Sequence, residues 1–395
     1  MQAGTAWSQS DTAFDAIGRV MTATQTVNGA SYSFGVTYKP QIGIQSITYP
    51  TSNRVVTTVY DSAGRPATLS GQIGTAAATP YVTATAYQPD GGISTQTLAN
   101  GKLALTSTEN ERLQPSGITA KDATGNLLLG LGYNYNPSND ATKNNGNLWQ
   151  QTISRYLVGS WTQTYGYAEL GGVGANRLTS AAETGTGSWS QGFRFDAAGN
   201  RWVPTTSGLS TTLETAADQG WYNVNGQTSN RIKGWGYDSA GNVTSVSGMN
   251  RAFAFDAENR MITATVNGTT TVFGYDSEGR RVMKVKCPAG VTSCMAGTSG
   301  AVWTAFVYDP AGNLAQEYGS GAASATGTQY FVADALGSTR LVADGNGVAV
   351  RCYDYLPFGE EIPAGTGGRP TGGCFGAAAG PPPGTADVVS EKFNG

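Results

Sequence analysis

The chain of 395 residues contains no histidine. That absence removes Ser-His-Asp and Cys-His nucleophile systems together with the commonest general base. Charge is also scarce: Asp, Glu, Lys and Arg make up 13% of the residues and the net charge is −3. With no basic stripe to neutralise phosphates, nucleic acid is not an expected partner. No apolar run is long enough to suggest a helix or a membrane span. Met1 to Ser10 carry neither a basic region nor an apolar core, so no signal peptide is read in this chain. The cysteines number only four, with no Cys-x-x-Cys pair and no histidine beside them, which disfavours zinc. No catalytic residue, metal site or cofactor is expected.

Glycine is what the chain has in excess, 55 of 395 residues, about twice the usual share of ~7%. Much of it belongs to a six-residue phrase: an aromatic, Asp, two variable residues, Gly or Asn, then Arg or Asn. The copies place Asp15 with Gly18, Asp61 with Gly64, Asp196 with Gly199, Asp238 with Gly241, Asp256 with Asn259, Asp276 with Gly279, and Asp309 with Gly312. Asp at the first position of a type I turn accepts a hydrogen bond from the backbone two residues on, and Gly at the fourth suits a left-handed backbone. This is the chemistry of a three-residue hairpin loop with a G1 bulge. Asn259 obeys the same rule, being a residue that tolerates positive φ, and Pro310 sits where φ near −65° is wanted.

Strand-like stretches lie between the phrases. Met261 to Val266 is rich in β-branched residues, Asn267-Gly268 signals a type I′ turn, and Thr269 to Tyr275 leads back into the next phrase. Each repeat therefore reads as a hairpin, and the chain as an all-β array of antiparallel hairpins. Between Tyr60 and Phe195 only weaker copies occur, at Lys121-Asp122 to Asn126 and at Tyr87 to Gly92. The ring opening each phrase is expected to pack on the equivalent ring one repeat away. Seven of the 16 aspartates are absorbed by these turns, and Glu360-Glu361 reads as a solvated pair, so a carboxylate pair for glycoside chemistry is not favoured. Nor is calcium, because the spacing of a repeated calcium loop is missing. Trp149, Trp161, Trp189, Trp202, Trp221, Trp235 and Trp303 read as core residues before sugar platforms.

With these phrases, the segment from Tyr330 through Asp334, Gly337, Ser338, Arg340, Asp344 and Gly347 to Tyr353, Tyr355, Pro357, Phe358, Gly359 and Glu360 resembles the core signature of the RHS or YD-repeat proteins. That family includes bacterial polymorphic-toxin shells, the C component of insecticidal toxin complexes, and the animal teneurins. The resemblance implies a spiralling β-sheet forming part of a hollow shell over residues 1–360, with the signature at 330–360. Residues 361–395, rich in Gly, Ala and Pro, read as a flexible tail. Family members carrying a toxin continue into an associated region, an aspartyl-protease-like segment and a toxin domain. None of these is read here, and Phe393-Asn394-Gly395 resembles the opening of the first, so the chain is expected to be a piece of a longer shell.

Cys287 and Cys294 flank Pro288-Ala289-Gly290 and are placed to staple a hairpin tip, while Cys352 and Cys374 are placed to close the loop after the signature. Four free thiols are the alternative. Disulfides fit an oxidising compartment, hence secretion or a cell surface. Two functions follow as expectations. One is a non-enzymatic scaffold enclosing a C-terminal toxin or other cargo polypeptide; the other is an adhesion module contacting surface glycans or a neighbouring cell.

Overall fold

The computed structural model describes residues 7–168, 176–196, 198–209, 223–224, 227–228, 230–246, 248–322 and 327–376. Trp221 and residues 377–395 lie outside them. Strands dominate, joined by turns and short 3-10 segments, and no helix among the described residues is long and apolar enough to cross a membrane. The all-β, hairpin-by-hairpin architecture expected from the repeats is the architecture found.

Each phrase forms the expected turn, and its last residue has a role the sequence reading did not assign. At Asp15 the Gly18 N–H donates to the Asp15 carbonyl at 3.0 Å and the Asp15 N–H to the Arg19 carbonyl at 2.9 Å. The glycines Gly18, Gly64, Gly199, Gly241, Gly279 and Gly312 have φ between 78° and 93°, and Asn259 has 61°, the region where a side chain is costly. Asp15 Oδ1 accepts from the Ile17 and Arg19 N–H groups, and Arg19 Nε donates to Oδ2 at 2.7 Å. Arg260 and Arg280 repeat this on Asp256 and Asp276; Asn200, Asn242 and Asn313 do so through Nδ2 on Asp196, Asp238 and Asp309. A side-chain donor closing the turn is why the phrase ends in Arg or Asn.

Among the described residues no phrase-opening ring is found stacked on another. Where the closing residue is Arg, the next ring packs under its guanidinium: Arg19 over Tyr38 at 4.1 Å, Arg65 over Tyr87 at 4.3 Å, Arg260 over Tyr275 at 5.2 Å and Arg280 over Tyr308 at 4.8 Å. The phenol then donates to a carbonyl one residue beyond that Arg, as Tyr38 does to Val20 and Tyr275 to Met261. A cation over a ring face outcompetes ring on ring here because the guanidinium is already oriented by Asp.

The described chain falls into two compact units. The first comprises Met1–Gly64, Leu69–Thr79 and Ile232–Ser324. Here five strands from Trp7–Phe14 to Arg54–Tyr60 pair antiparallel in chain order, as do those from Gly236–Tyr237 to Leu314–Tyr318. Alternate residues Val27, Tyr32 and Phe34 meet Met283, Val285, Ala305 and Val307 in one core. Tyr32 stacks on Tyr318 at 4.3 Å. Cys287 is bonded to Cys294 beside that core.

The second unit comprises Arg65–Thr68, Pro80–Arg231 and Ala325–Gly395. Its strands Ile93–Leu98, Leu103–Glu109, Pro115–Asp122, Leu127–Asn134, Gln150–Arg155, Gly159–Tyr167, Leu178–Gly185, Trp189–Phe195 and Arg201–Ser207 form successive antiparallel pairs. Three strands of the signature, Gln329–Ala333, Thr339–Asp344 and Ala349–Cys352, make a separate small sheet. Its Tyr330, Val332, Leu341, Ala343 and Cys352 pack with Leu103, Leu129, Leu131, Ile153 and Trp161. Trp161, Trp189 and Trp202 are buried, as core residues are. The weaker copies are full turns: the Asp122 N–H donates to the Asn126 carbonyl and the Gln88 N–H to the Gly92 carbonyl.

The segment after Glu360 departs from the expected flexible tail as far as Gly376. Cys352 is bonded to Cys374, Ile362 and Arg369 are buried, and the Trp161 indole N–H donates to the Gly367 carbonyl at 2.8 Å. Glycine-rich composition suggests mobility, whereas here small residues let a strap lie close to the sheet. A Cβ on Gly187 would come within 2.2 Å of the Gly367 carbonyl carbon.

Candidate functional site

Period-two alternation on neighbouring strands of the second unit places side chains in rows across one face of the sheet. One row is apolar: Leu131, Ile153 and Trp161 stand opposite one another. The next is Tyr133, Gln151, Gln163 and Glu183, all polar or part-polar. Gln151, Gln163 and Glu183 are at least nine-tenths buried, so each needs partners within the protein.

Glu183 finds Arg369 of the strap. Arg369 Nη2 donates to Glu183 Oε2 at 2.8 Å, Nη1 donates to Oε1, and Gln163 Nε2 donates to Oε2 at 2.9 Å. Arg369 Nε turns the other way, to Asp354 Oδ2 at 3.1 Å. Asp354 Oδ1 accepts from Arg340 Nη2 at 2.8 Å and from Arg155 Nη2 at 3.3 Å. Arg340 also reaches Asp334 at 3.4 Å. Three guanidiniums (Arg155, Arg340, Arg369) thus meet three carboxylates (Asp334, Asp354, Glu183). Burial alone would push the Asp354 carboxyl up, but Arg155, Arg340 and Arg369 hold it down at about 2. Arg155 is pulled down by burial, against the attraction of Asp354.

The signature residues sort into three roles. Asp334 with Gly337, Asp344 with Gly347, and Leu356 with Gly359 form three more turns of the repeat type. Gly347 is doubly constrained, with φ of 76° and the Lys102 carbonyl 2.3 Å from where a Cβ would stand. Tyr330, Ser338, Tyr353 and Tyr355 are buried in the small sheet and its margins. Arg340 belongs to the ionic cluster, while Pro357 and Phe358 line a cavity and Glu360 lies 3.9 Å from Arg201. Sequence reading missed Arg155, Glu183, Asp354 and Arg369 as partners. Glu183 and Arg369 are 186 positions apart, and no local pattern joins them.

Beside the cluster opens a cavity of about 540 Å³, walled by Tyr133, Tyr135, Tyr165, Tyr167, Tyr355 and Phe358, with Gln151, Gln163, Asp334 and Arg340 among its polar lining. Burial raises the Tyr133 phenol to about 12 and raises the Tyr165 and Tyr355 phenols as well. A second cavity, about 370 Å³, shares Tyr165 and Tyr167 and adds Trp149, Asn145 and Asn147. Every carboxylate of the cluster is paired with a guanidinium.

No protein-family model matches the chain, and no curated protein matches it. Its likeness is to solved structures. A crystal structure of TcdB2-TccC3-Cdc42 superposes with a TM-score of 0.68 at 13% identity, over 90% of this chain and 20% of that one. For TcdB2-TccC3 the values are 0.66, 13%, 89% and 20%. The Photorhabdus luminescens Tc holotoxin pore gives 0.53, 14%, 90% and 20%. At these identities the likeness establishes a shared fold. The chain spans about one fifth of the length of the chains it matches.

Proposed function

We propose that this chain is a scaffold, a wall element of an RHS-type shell that holds a toxin or other cargo polypeptide and performs no chemistry of its own, in the setting of intercellular competition. The observation that carries this reading is the fold: hairpins in chain order, superposing over 90% of the chain on TcdB2-TccC3-Cdc42 with a TM-score of 0.68. The turn aspartates support it, since their carboxylates are spent on backbone N–H groups and on closing Arg or Asn side chains. The disulfides Cys287–Cys294 and Cys352–Cys374 fit secretion or surface display.

The test begins with the coding sequence downstream of the Gly395 codon. Co-expressed with this chain, the polypeptide encoded there is expected to resist a protease that digests it when alone. Equal digestion in both cases overturns the reading.

A second reading, adhesion to surface glycans, draws on the smaller cavity, where Trp149 and Tyr167 offer ring faces and Asn145 an amide to a sugar. Binding on a glycan array, lost in Trp149→Ala, is its expected result.

A further inference from the structure

We propose that the Cys352–Cys374 bond is a thiol–disulfide exchange site that takes a dithiol reductant, and that its opening loosens the strap over 361–376. The chemistry is independent of the scaffold reading. Three observations within the second unit carry it.

The first is a cation on one sulfur. Arg155 Nη1 donates to Cys352 Sγ at 3.3 Å, where Arg155 and Cys352 are each 4% exposed. Burial alone favours the neutral thiol, but a guanidinium in contact with the sulfur favours the thiolate, and a low local dielectric strengthens that attraction. The second is the state of that cation. Arg340 and Arg369 each hold a carboxylate of their own, Asp334 and Glu183, besides the Asp354 that all three guanidiniums share. Arg155 has only its share of Asp354, at 3.3 Å; its other oxygen acceptors are the Leu128, Arg340 and Tyr353 carbonyls, and its buried Nε has no hydrogen-bond partner among the described residues. A thiolate on Cys352 supplies Arg155 with a counter-charge of its own.

The third is an asymmetry of access. Cys374 is half-buried near the end of the strap, whereas Cys352 belongs to the core. An incoming thiolate therefore meets Cys374, which makes Cys352 the leaving group, and a thiolate leaves faster the better it is stabilised. One thiolate of the dithiol bonds to Cys374 Sγ, the Cys352–Cys374 bond breaks, and its electron pair departs on Cys352 Sγ beside Arg155. The second thiolate of the reductant then attacks the reductant's first sulfur and expels Cys374. The reductant ends as a disulfide, oxidised by two electrons, and both cysteines end reduced. Of the two protons the dithiol gives up, one goes to Cys374 and one to solvent. The strap is then held only by non-covalent contacts, among them Arg369 on Glu183 and Phe375 against Trp161.

Cys287–Cys294 in the first unit is the internal control. Both residues are buried, at 3% and 8% exposure, and among the described residues neither sulfur accepts from a charged group. The test is a time course of dithiothreitol reduction of the full chain under native conditions, with samples quenched into denaturant and excess N-ethylmaleimide and the labelled cysteines located by mass mapping. Cys352 and Cys374 are expected to be reduced at least about tenfold faster than Cys287 and Cys294. Hydrogen exchange on the reduced chain is expected to rise at Gly365, Thr366 and Arg369, whose N–H groups bond within the strap, and to stay unchanged over Val20–Val27. In Cys374→Ser, ultraviolet absorbance is expected to titrate the Cys352 thiolate at least about one pH unit below the ~8.5 of an ordinary cysteine; should that variant misfold by circular dichroism, the time course on the unaltered chain still decides. Equal rates at the two disulfides, earlier reduction of Cys287–Cys294, or a thiol midpoint at or above the ordinary value in the folded variant overturns the exchange site. Selective reduction with unchanged exchange over 361–376 overturns the loosening of the strap.

Discussion

In the first unit, a neutral amide reaches from one set of strands to the other. Gln25, 2% exposed, donates from Nε2 to the Tyr308 carbonyl at 2.8 Å and accepts from the Tyr308 N–H at 3.1 Å, locking two strands that are far apart in sequence. In the second unit the equivalent task falls to six charges, with Asp354 at their centre. Both units use the same turns and the same alternation, so the repeat builds the strands in each. What differs is how one layer is keyed to another. An amide on a backbone costs little to desolvate and tolerates a change of acidity; an ionic cluster is costly to bury and fails when any one member is lost.

The largest effect is therefore expected in the second unit. Asp354→Ala leaves three buried guanidiniums facing one another, and a loss of about 3–5 kcal/mol is expected from denaturant unfolding. Replacing Glu183 and Arg369 together by Leu and Met is expected to cost less than either single replacement, a double-mutant cycle that separates a required pair from a required shape. A strictly additive result would mean that the two do not act as a pair.

Next is the strap. Cys352–Cys374 closes a loop of sequence separation 22, and Cys374→Ser is expected to cost about 3 kcal/mol. Amide exchange should rise over 361–376 while Val20–Val27 in the first unit is unchanged. Gln25→Ala is expected to cost about 1–3 kcal/mol, since two hydrogen bonds to the Tyr308 backbone are then lost at a buried position. An effect below about 0.5 kcal/mol would show that water replaces the amide. The smallest effect belongs to a single turn: Gly279→Ala, at φ of 81°, is expected to cost about 1 kcal/mol, because an L side chain is disfavoured there.

The same contrast explains what was legible in the sequence. Turns announce themselves locally, since Asp and Gly three residues apart carry their own chemistry, and the strands between them follow. Even so, the turn at Asn110 went unread because its fourth residue is Leu113, at φ of 58°, held there by the flanking strands. The row of Tyr133, Gln151, Gln163 and Glu183 is assembled from four strands, and nothing near Gln151 marks it as buried. Phe375 packs edge-on to Trp161 from a segment whose glycine content suggested mobility. Tertiary pairing of charges across 186 and 199 positions leaves no periodic trace, so the cluster is complete only when the sheet is assembled.

Acid titration followed by hydrogen exchange tests the contrast most directly. The Asp354 carboxyl is held at about 2 in the folded chain, against about 3.9 in an unfolded one. Its contribution is therefore fully present above about pH 4 and is lost as pH falls toward 2. The account predicts that Gln150–Arg155, Thr339–Asp344 and Ala349–Cys352 lose protection in that interval before Val20–Val27 and Arg281–Lys286 do, and that Asp354→Asn weakens the pH dependence over those three strands, while turn carboxyls such as Asp122, also held at about 2, keep theirs. Simultaneous loss in both units, or an unchanged acid transition in Asp354→Asn, would contradict it.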